Sequence, residues 1–574
     1  MPRSVLAFGL ILALLSGGCR PNYDDDTPLV LSVIATNDVH GELLPTDGNY
    51  GLALLGGYVD NLRIARDQDG GGVLLIDAGD MWQGTMESNV TEGAAVVAAY
   101  NAAGYDAVAV GNHEFDFGPL GEKATPLDDD DDPQGALKVR ATEADFPFLA
   151  ANLVDVNTGR PVAWENVQPS AMLEVAGVKV GVIGLMTERA LATTIASNTA
   201  GLRVSPLALA ITREADALRR DGAELIIVTA HAGSTCTNFD DPLDLSSCNL
   251  AGEIMQVALA LPHGHVDLII GGHVHEGIAH EVNGIAITSS FSSTRAFGRV
   301  DFTLNRADHT LLSRQIHAPQ AICGFVDNVT GRCTPADDAD GPASVASYSG
   351  RPVTPNAAIV AIAEEASTAA NAVKFASLGV HLETPITREG RQNSAIGHMF
   401  TDILHEALGG DLVLHNVVGG IRGDLPQGSL IYGDVYEMYP FDNMVVQLDL
   451  NGAELRSVLA RQFAIGRHVG LTGIRVFASC GEDGIAVQML RPDDTEIQDE
   501  DFVAVMTTDF LAMGGDDVLT AIMPEEGFQS TVVAPLAREV IADWLRERGG
   551  NLDAAMFSDA DDPKWNTDPS CRGQ

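Results

Sequence analysis

Short runs of consecutive apolar residues recur along the first half of the chain, and each run ends beside glycine or polar residues. The first run is LVLSVIAT, which begins at Leu29, and later runs read LLID, VAVG, VGVIGL, LIIVTAH and LIIGGH. Such runs, bounded by turn-forming residues, are typical of buried strands. Helical patterns such as ALAITREADALRRDG lie between them. This alternation predicts a layered α/β domain over residues 29–318, with helices covering the sheets.

The pattern changes in the second half of the chain. Residues 323–355 are rich in Asp, Gly, Pro and Ser, which predicts an insert and a linker within residues 319–375. A connecting helix is predicted to begin near Asn356, where the apolar periodicity of AAIVAIAEEASTAANAV starts. A second, smaller domain is predicted over residues 376–545, followed by a polar tail at residues 546–574. A chain of 574 residues is too long for one ordinary core, which agrees with this division.

The N-terminus resembles an export signal. Arg3 precedes the apolar stretch VLAFGLILALL, which is too short to span a bilayer and has the size of a signal-peptide core. The stretch ends in Ser-Gly-Gly-Cys at residues 16–19, which resembles a bacterial lipobox. Residues 1–19 are therefore expected to be a signal peptide, either with acylation of Cys19 or with simple cleavage. Both alternatives predict an exported protein of the periplasm or cell envelope, with an acidic linker at residues 20–28.

The composition excludes some partners. The chain has 34 Lys and Arg against 79 Asp and Glu, a formal net charge of -45 at pH 7. This charge repels phosphate backbones and anionic membrane surfaces, so neither nucleic-acid polymers nor membranes are expected partners, apart from a lipid anchor at Cys19. Five consecutive aspartates, Asp128 to Asp132, predict a solvated loop and lack the spaced ligands of a calcium loop.

The cysteine pattern agrees with export. Of seven cysteines, six remain when Cys19 is set aside for lipid. Six cysteines allow many pairings, but the close spacing of two pairs favours local loops. The predicted disulfides are Cys236 with Cys248, Cys323 with Cys333, and Cys480 with Cys571.

Carboxylates, imidazoles and one amide follow the predicted strands of the first domain. They stand in TNDVHG, DAGD, GNHEFD, TAHAG and GGHVHEG. A lone histidine at a strand end is more often structural, but five such clusters in one domain favour a site with mixed nitrogen and oxygen ligands for two divalent ions. The candidate residues are Asp38, His40, Asp80, Asn112, His113, Asp116, His231, His273 and His275.

At these motifs the sequence resembles the calcineurin-like metallophosphatase superfamily, and the order DVHGE, GNHEFDFG and GGHVH resembles the 5'-nucleotidase family. The resemblance implies a four-layer α/β/β/α metallophosphatase domain followed by a smaller α/β (α+β) substrate-binding domain. It also implies two metal sites that share Asp80 as a bridging ligand. One site would use Asp38, His40, Asp80 and His275, and the other would use Asp80, Asn112, His231 and His273.

This arrangement implies a hydrolytic mechanism. Two cations about 3.5 to 4 Å apart lower the pKa of a shared water and clamp phosphoryl oxygens, so a metal-bound hydroxide is the expected nucleophile. His113 is expected to face the substrate and stabilise developing charge, and Asp116 to orient His113. A helix N-cap is the alternative role of Asp116. These ligands tolerate zinc, manganese, cobalt or iron, so the metal identity stays open.

The resemblance continues through TREGRQNSAIGHM, GGIRGD, YPFDNMVV and TTDFLAMGGDDV. It implies arginines that bind phosphate, two aromatic rings that sandwich a base, and an aspartate that holds the ribose hydroxyls. Guanidinium groups match phosphate oxygens in pairs, and an aromatic pair binds any base. Taken singly, these phenylalanines would be core residues and these arginines surface charges. The candidate substrate-binding residues are Arg388, Arg391, Arg422, Phe441, Phe510 and Asp516, and which of Arg388 and Arg391 takes the second phosphate-binding role is left open.

Two departures affect base recognition. The family commonly has Asn-Gly-Gly-Gly before Ile-Arg, whereas this chain has Val417 and Val418 between Asn416 and Gly419. The family pattern Asn-x-Gly-Asn is likewise replaced by Ala-Ile-Gly-His at residues 395–398. No base preference is therefore predicted.

The sequence favours an exported bimetallic phosphohydrolase that releases phosphate from nucleoside 5'-monophosphates. The alternatives on the same site are a 2',3'-cyclic nucleotide phosphodiesterase and a nucleotide-sugar pyrophosphatase. From another class, the chain could be a noncatalytic acidic lipoprotein that binds metal at the cell surface. That class predicts loss of metal ligands or of His113, and all of them are present.

Overall fold

The computed structural model describes residues 27–571 except for 47, 122, 124, 127, 129, 336–342, 390–393, 418, 442, 468, 482–483, 525–526, 535, 558–562 and 569–570. The predicted signal peptide, Cys19 and most of the acidic linker lie outside the described residues. Along the described residues, no helix is both long enough and apolar enough to cross a membrane.

The first part of the chain alternates strands and helices, as its apolar runs predict. In chain order the elements are β1 (Leu29–Thr36), α1 (Leu52–Asp69), β2 (Gly72–Asp77), α2 (Met86–Asn89), α3 (Ala94–Ala103), β3 (Ala107–Ala109), α4 (Gly135–Glu143), β4 (Phe148–Leu149), β5 (Leu153–Asp155), β6 (Val167–Gln168), β7 (Ser170–Val175), β8 (Val178–Met186), β9 (Leu202–Val204), α5 (Leu207–Arg220), β10 (Leu225–His231), α6 (Glu253–Ala260), β11 (Leu268–Gly271), β12 (Gly277–Val282), β13 (Ile285–Ser290), β14 (Ala296–Leu304) and β15 (Leu311–Ala321).

These strands form two main sheets. The first has the strand order β15-β14-β1-β2-β3-β4-β6, and the second has the order β12-β13-β11-β10-β8-β7. Strands β1 to β4 run parallel in the first sheet, and β8, β10 and β11 run parallel in the second. The carboxyl ends of parallel strands meet at one edge of a sheet, which is where α/β proteins usually carry their sites.

The two sheets pack against each other and are covered by helices on their outer faces. The layer between them contains Val33 and Ile76 from the first sheet and Val182 and Ile227 from the second. Helices α1 and α3 share a core with the outer face of the first sheet, and α5 and α6 share one with the second. Strands buried on both faces must be apolar at nearly every position, which explains the continuous apolar runs. The predicted four-layer α/β/β/α arrangement is confirmed.

A connecting region follows the second sheet. It contains β16 (Phe325–Asp327), β17 (Ala343–Val345), β18 (Ser347–Tyr348), β19 (Arg351–Pro352) and α7 (Ala357–Lys374). The Asn356 side chain caps α7 by accepting a hydrogen bond of 3.0 Å from the amide of Ala358. Ile359 of α7 packs into the core of the first part, whereas Ala370 packs into a core of the second part. Helix α7 therefore joins the two parts through contacts with both.

The second part of the chain mixes short sheets with helices. Its elements are β20 (Ser377–Leu382), α8 (Ala395–Leu408), β21 (Leu412–Asn416), β22 (Gly428–Ile431), α9 (Tyr432–Met438), β23 (Val445–Asn451), α10 (Gly452–Ala464), β24 (Val469–Thr472), β25 (Arg475–Gly481), β26 (Gly484–Leu490), β27 (Phe502–Thr508), α11 (Asp509–Ala512), β28 (Thr531–Ala534), α12 (Ala537–Arg548), β29 (Gly550–Leu552) and β30 (Trp565–Thr567).

A five-stranded sheet with the order β24-β21-β27-β23-β28 separates two cores in this part. Val413 of β21 faces the core that contains α8 and α12. Its neighbours Leu412 and Leu414 face the core that contains α10. This alternation follows from the two-residue period of a strand.

The residues after 545 are more integrated than a polar tail. Strand β29 pairs with β20, and β30 pairs with β25. Trp565 of β30 is 3% exposed and packs in the core with α10. The sequence pattern missed these strands because each has three residues, too few to show an alternation.

The disulfide prediction is confirmed. The structure pairs Cys236 with Cys248, Cys323 with Cys333, and Cys480 with Cys571. The last bond links β25 to the end of the described chain, and the other two close short surface loops.

Candidate active site

The predicted metal ligands lie at the carboxyl ends of the parallel strands. Asp38 and His40 follow β1, and Asp80 follows β2. His231 is the last residue of β10, and His273 comes shortly after β11. The polar clusters of both sheets therefore meet at one end of the layered domain.

The backbone at these positions is unusual. A positive φ is uncommon for residues other than glycine and marks sharp turns that strain the chain, often at functional sites. Five predicted ligands have it: Asp38 (51°), His40 (52°), Asp80 (57°), His273 (74°) and His275 (59°). These five residues therefore lie in left-handed turns shortly after the strands.

The ligand atoms form two groups. The first contains Asp38, His40 and His275, and within it Nε2 of His275 lies 3.3 Å from Oδ1 of Asp38. The second contains Asp80 and His231, whose Nε2 lies 3.1 Å from Oδ2 of Asp80, together with His273. Within each group all ligand atoms lie within 4.8 Å of one another. Carboxylate oxygens and imidazole nitrogens at such spacing fit divalent transition-metal ions.

Asn112 joins the second group. Its Oδ1 lies 3.0 Å from Nε2 of His231 and 3.1 Å from Nδ1 of His273. Its Nδ2 donates a hydrogen bond to the carbonyl of Thr193 at 3.2 Å. The amide oxygen therefore points towards the same space as the two imidazoles.

Backbone carbonyls set the orientation of two histidines. Nδ1 of His40 lies 2.9 Å from the carbonyl oxygen of Gln83, and Nδ1 of His231 lies 2.9 Å from that of Ala78. A carbonyl accepts a hydrogen bond, so each ring donates from Nδ1 and its Nε2 faces the site. Metal coordination through Nε2 requires this orientation of the ring.

The electrostatics of the site favour cations. Burial opposes ionisation of Asp38 and Asp80, but the neighbouring histidines hold the pKa of both carboxyls below its usual value. Burial lowers the pKa of His40 and of His273 to about 4, so both rings are neutral at pH 7. Burial also opposes protonation of His231, yet the adjacent Asp80 raises the pKa of that ring to about 10, so a cation that binds at its Nε2 would displace a proton. Asp38 and Asp80 are therefore ionised carboxylates that can bind cations.

His113 and Asp116 form a hydrogen-bonded pair beside these groups. Nδ1 of His113 lies 2.5 Å from Oδ2 of Asp116, and the hydroxyl of Thr194 donates to Oδ1 of Asp116 at 2.9 Å. Burial would lower the pKa of His113, but the charges of Asp116 and Asp80 raise it to about 9. His113 is therefore protonated at pH 7. Asp116 ends a short 3-10 turn, so the alternative role of capping the start of a helix is not observed.

Sequence reasoning missed Glu114, which is 1% exposed. Its carboxylate accepts hydrogen bonds from the backbone amides of Asp80 (2.9 Å), Met81 (2.8 Å) and Gly111 (2.6 Å). Burial and the nearby Asp80 raise the pKa of this carboxyl, whereas the backbone amides of Asp80 and Met81 oppose the shift because they donate to the charged form. One signal in the sequence could have indicated it. Glu114 stands inside the GNHEFD motif, between His113 and the buried Phe115, where an acid with no function is not expected.

One cavity of about 250 Å³ joins the two groups of candidate metal ligands to the second part of the chain. Its lining includes Asp80, Asn112, His113, Asp116, His273 and His275 from the first part. From the second part it includes Arg422, Phe441, Phe510 and Asp516. The guanidinium carbon of Arg422 lies 5.1 Å from the centre of the Phe441 ring. Four of the six predicted substrate-binding residues thus share one cavity with the metal-binding groups.

The structure does not place the other two predicted arginines at this cavity. Arg388 is not among the cavity-lining residues of the described chain, and its Nε lies 3.2 Å from Oδ1 of Asp424 on the surface. Arg391 lies outside the described residues. The cavity also has lining residues that the sequence did not indicate: Gln83, Thr193, Thr194, Ile195, His415, Tyr439 and Asn443. Asn416, from the altered glycine motif, lines it as well.

Two family models and several similar proteins match this chain. The family model described as calcineurin-like phosphoesterase matches residues 31–277, and that described as 5'-nucleotidase, C-terminal domain matches residues 373–522. The protein UshA of Yersinia enterocolitica is 25% identical over 588 residues, which cover 96% of this chain and 98% of UshA. A 5'-nucleotidase of Vibrio cholerae is 25% identical over 593 residues, which cover 97% of this chain and 98% of that protein.

Solved structures with low sequence identity share the fold. The 5'-nucleotidase precursor from Thermus thermophilus has a TM-score of 0.64 at 20% identity, covering 94% of this chain and 99% of that one. The NAD nucleotidase of Haemophilus influenzae has a TM-score of 0.53 at 18% identity, covering 94% of this chain and all of that one.

Two family models match successive parts of the chain, and similar proteins extend over nearly its whole length. The donor groups at the strand ends are those that a divalent metal ion requires. The chain therefore combines a calcineurin-like phosphoesterase region at residues 31–277 with a region at residues 373–522 that matches the 5'-nucleotidase C-terminal domain, and it is a metal-dependent phosphoric ester hydrolase.

Proposed function

We propose that this chain is a two-metal 5'-nucleotidase that releases phosphate from nucleoside 5'-monophosphates. The observation that carries the proposal is the single cavity that has metal-binding groups at its first-domain wall and Arg422, Phe441, Phe510 and Asp516 at its second-domain wall. Similar proteins named UshA and 5'-nucleotidase support nucleotides as the substrate class. The division into a catalytic domain at residues 29–318 and a substrate domain at residues 376–545 is part of the proposal.

We assign two divalent ions to the two groups of ligand atoms. Asp38, His40, Asp80 and His275 would hold one ion, and Asp80, Asn112, His231 and His273 would hold the other. When bound, such ions supply the Lewis acidity that activates water and neutralises phosphoryl oxygens. Zinc, manganese, cobalt and iron all suit these ligands, so availability decides among them.

The protein's own residues position and protonate the substrate. His113 is protonated at pH 7, lines the cavity and is held by Asp116, so it can stabilise phosphoryl charge and donate a proton from Nε2 to the leaving ribose oxygen. Protonation matters because an alkoxide is a poor leaving group in neutral water.

The second domain holds the rest of the nucleotide. Arg422 would bind the phosphate, since its planar guanidinium matches two phosphoryl oxygens. Phe441 and Phe510 would stack on the base, and Asp516 would accept hydrogen bonds from the ribose hydroxyls. Stacking is tolerant of base identity, so this set predicts activity on several nucleotides.

A second cavity favours a further candidate function. It has a volume of about 460 Å³, shares His113, His275 and Arg422 with the first cavity, and is also lined by Glu87 and Lys374. A group attached beyond the scissile phosphate would have space there. This observation supports nucleotide-sugar pyrophosphatase activity at the same site as the alternative.

Export is also proposed. Three disulfides among the six cysteines after Cys19 suit an oxidising compartment, and the apolar N-terminus resembles a signal peptide. The protein would then reside in the periplasm or be lipid-anchored at Cys19.

The proposal is tested by phosphate release from a panel of substrates. The soluble protein, residues 20–574, would be reconstituted with each divalent metal and given AMP, other 5'-mononucleotides, a 2',3'-cyclic nucleotide, a nucleotide sugar and an aryl phosphate. Preference for 5'-mononucleotides, together with a fall of about 100-fold or more in His113→Ala, is expected. Release from the aryl phosphate alone would overturn the assigned roles of Phe441, Phe510 and Asp516.

A further inference from the structure

The loop between β8 and β9 forms part of the substrate cavity. Thr193, Thr194 and Ile195 of this loop line the cavity on the side of the first domain. No motif in the sequence points to this loop, because its polar residues resemble those of an ordinary surface turn. Two of its groups nevertheless form hydrogen bonds to predicted site residues: the carbonyl of Thr193 to Asn112, and the hydroxyl of Thr194 to Asp116.

The first contact orients Asn112. The carbonyl of Thr193 accepts a hydrogen bond of 3.2 Å from Nδ2 of Asn112. An amide can present either its oxygen or its nitrogen to a site, and only the oxygen binds a cation. This hydrogen bond directs the nitrogen to the loop and leaves Oδ1 beside His231 and His273.

The second contact orients Asp116. The Thr194 hydroxyl donates a hydrogen bond of 2.9 Å to Oδ1 of Asp116, whose other oxygen contacts Nδ1 of His113. Thr194 is 5% exposed and Asp116 is 8% exposed, so most water is excluded from this hydrogen bond. The terminal torsion of a carboxylate has broad minima, whereas the side chain of threonine is stiff. The hydroxyl therefore fixes the plane of a carboxylate that alone would rotate.

We propose that Thr194 is a positioning residue that holds the imidazole of His113 in its working orientation through Asp116. The inference rests on the proposed function, because it assumes that His113 acts on the nucleotide. It predicts that losing the hydroxyl slows the chemical step without weakening nucleotide binding.

The test compares Thr194→Val, which keeps the shape and removes the hydroxyl, with Thr194→Ser, which keeps the hydroxyl. Thr194→Val is expected to lower kcat for AMP by about 10-fold, with KM changed by less than about twofold, the usual size of an effect from an indirect hydrogen bond. Thr194→Ser is expected to recover most of that loss. Metal content, measured by elemental analysis, should be equal in both variants.

A double-mutant cycle separates positioning from general loosening. In a His113→Ala background, Thr194→Val should cause no further loss of kcat, since its effect acts only through His113. Three results would overturn the proposal. The losses could multiply in the double variant, the valine and serine variants could have equal kcat, or the change could be confined to KM.

A substrate-independent readout keeps the inference distinct from the proposed function. The Nδ1 proton of His113, hydrogen-bonded to Asp116, should give a downfield proton resonance that is absent in His113→Ala. This resonance should shift or broaden in Thr194→Val and stay in place in Thr194→Ser. An unchanged resonance in Thr194→Val overturns the positioning role, whatever substrates the enzyme accepts. Silence of the wild-type protein towards every nucleotide contradicts the proposed function instead.

Discussion

Arg422 and Arg388 lie in the same domain but have different surroundings. Arg422 lines the cavity and stacks beside Phe441, whereas Arg388 pairs with Asp424 and its side chain is 50% exposed. Arg422→Ala is expected to raise KM for AMP by about 10-fold or more, because a charge-assisted hydrogen-bond pair to phosphate is lost. Arg388→Ala serves as the matched control and should change KM by less than about twofold. Steady-state kinetics of phosphate release measures both, and an equal rise in KM for Arg388→Ala would contradict the assignment.

Asp301 is a buried acid that stabilises the fold away from the active site. Its carboxylate accepts hydrogen bonds from Ser32 (2.6 Å) and from Arg299 (2.9 and 2.8 Å), and it lies 3.0 Å from Nε2 of His317. Burial opposes its ionisation, but these partners hold the pKa of Asp301 well below its usual value. The charged form is therefore favoured in the folded state relative to the unfolded chain.

This shift predicts a pH-dependent contribution to stability. A depressed folded-state pKa contributes stability above the unfolded value of about 4, and the contribution is lost as pH falls towards the folded value. Asp301→Asn should lower the free energy of unfolding by about 2 kcal/mol at neutral pH, the cost of losing hydrogen bonds to a charged group. The difference in free energy of unfolding between wild type and Asp301→Asn, measured by calorimetry at several pH values, should shrink below about pH 4.

The exposed Asp145→Asn is the control, because its side chain lies on the surface and should leave stability nearly unchanged at every pH. A difference between wild type and Asp301→Asn that stays constant down to about pH 2 would show that the charge of Asp301 is not the cause.

Site residues that stand in local motifs could be predicted from the sequence. Site residues whose role depends on partners far away in the chain could not. Asp38, Asp80 and His231 each follow an apolar run, so their placement at strand ends could be read along the chain. Thr194 could not be predicted, since its partner Asp116 is 78 residues away. Glu114 was missed because its partners are backbone amides, which leave no trace in the sequence.

At the element scale, Glu114 joins the loop after β2 to the loop after β3. Oε2 accepts from the amides of both Asp80 and Gly111, so one oxygen bridges two metal-binding loops. In Glu114→Gln, an NH2 group replaces one of the two carboxylate oxygens. A hydrogen-bond donor would then face backbone amides that are themselves donors. Metal affinity is expected to fall by about 10- to 100-fold, as for other groups that orient ligands.

Chelator competition followed by elemental analysis measures this affinity. Glu174→Gln is the control, because Glu174 lies on the exposed side of β7 and should bind metal as the wild type does. An unchanged affinity in Glu114→Gln would mean that the two loops keep their geometry without the bridge.

Elements with long apolar runs were predicted well, and short elements were not. Strands β1 and β10 are buried along almost their entire length, which is why their sequences are continuously apolar. Helix α7 was predicted from its apolar periodicity, which starts near Asn356, and the structure shows that the Asn356 side chain caps it. Strands β29 and β30 were missed because pairing with distant strands, rather than local propensity, determines them.

At the scale of the whole molecule, the site depends on how the two domains face each other. The contact includes a hydrogen bond between Asn89 and Tyr436, and another in which the hydroxyl of Thr125 lies 3.1 Å from the sulfur of Met444. The fold class could be predicted from the strand pattern and the family resemblance. The domain contact could not, because its residues belong to no motif and are separated by more than 300 positions along the chain.

The proposed function requires one cavity to position a nucleotide between a metal centre and an aromatic pair. A crystal structure with divalent metal and a non-hydrolysable nucleoside 5'-monophosphate analogue would show this arrangement. We expect two metal ions, held by the groups that share Asp80, with the phosphate beside them and Arg422. We also expect the base between Phe441 and Phe510. A base bound outside these rings, or a single ion that leaves Asp38 and His275 without metal, would contradict the proposed function.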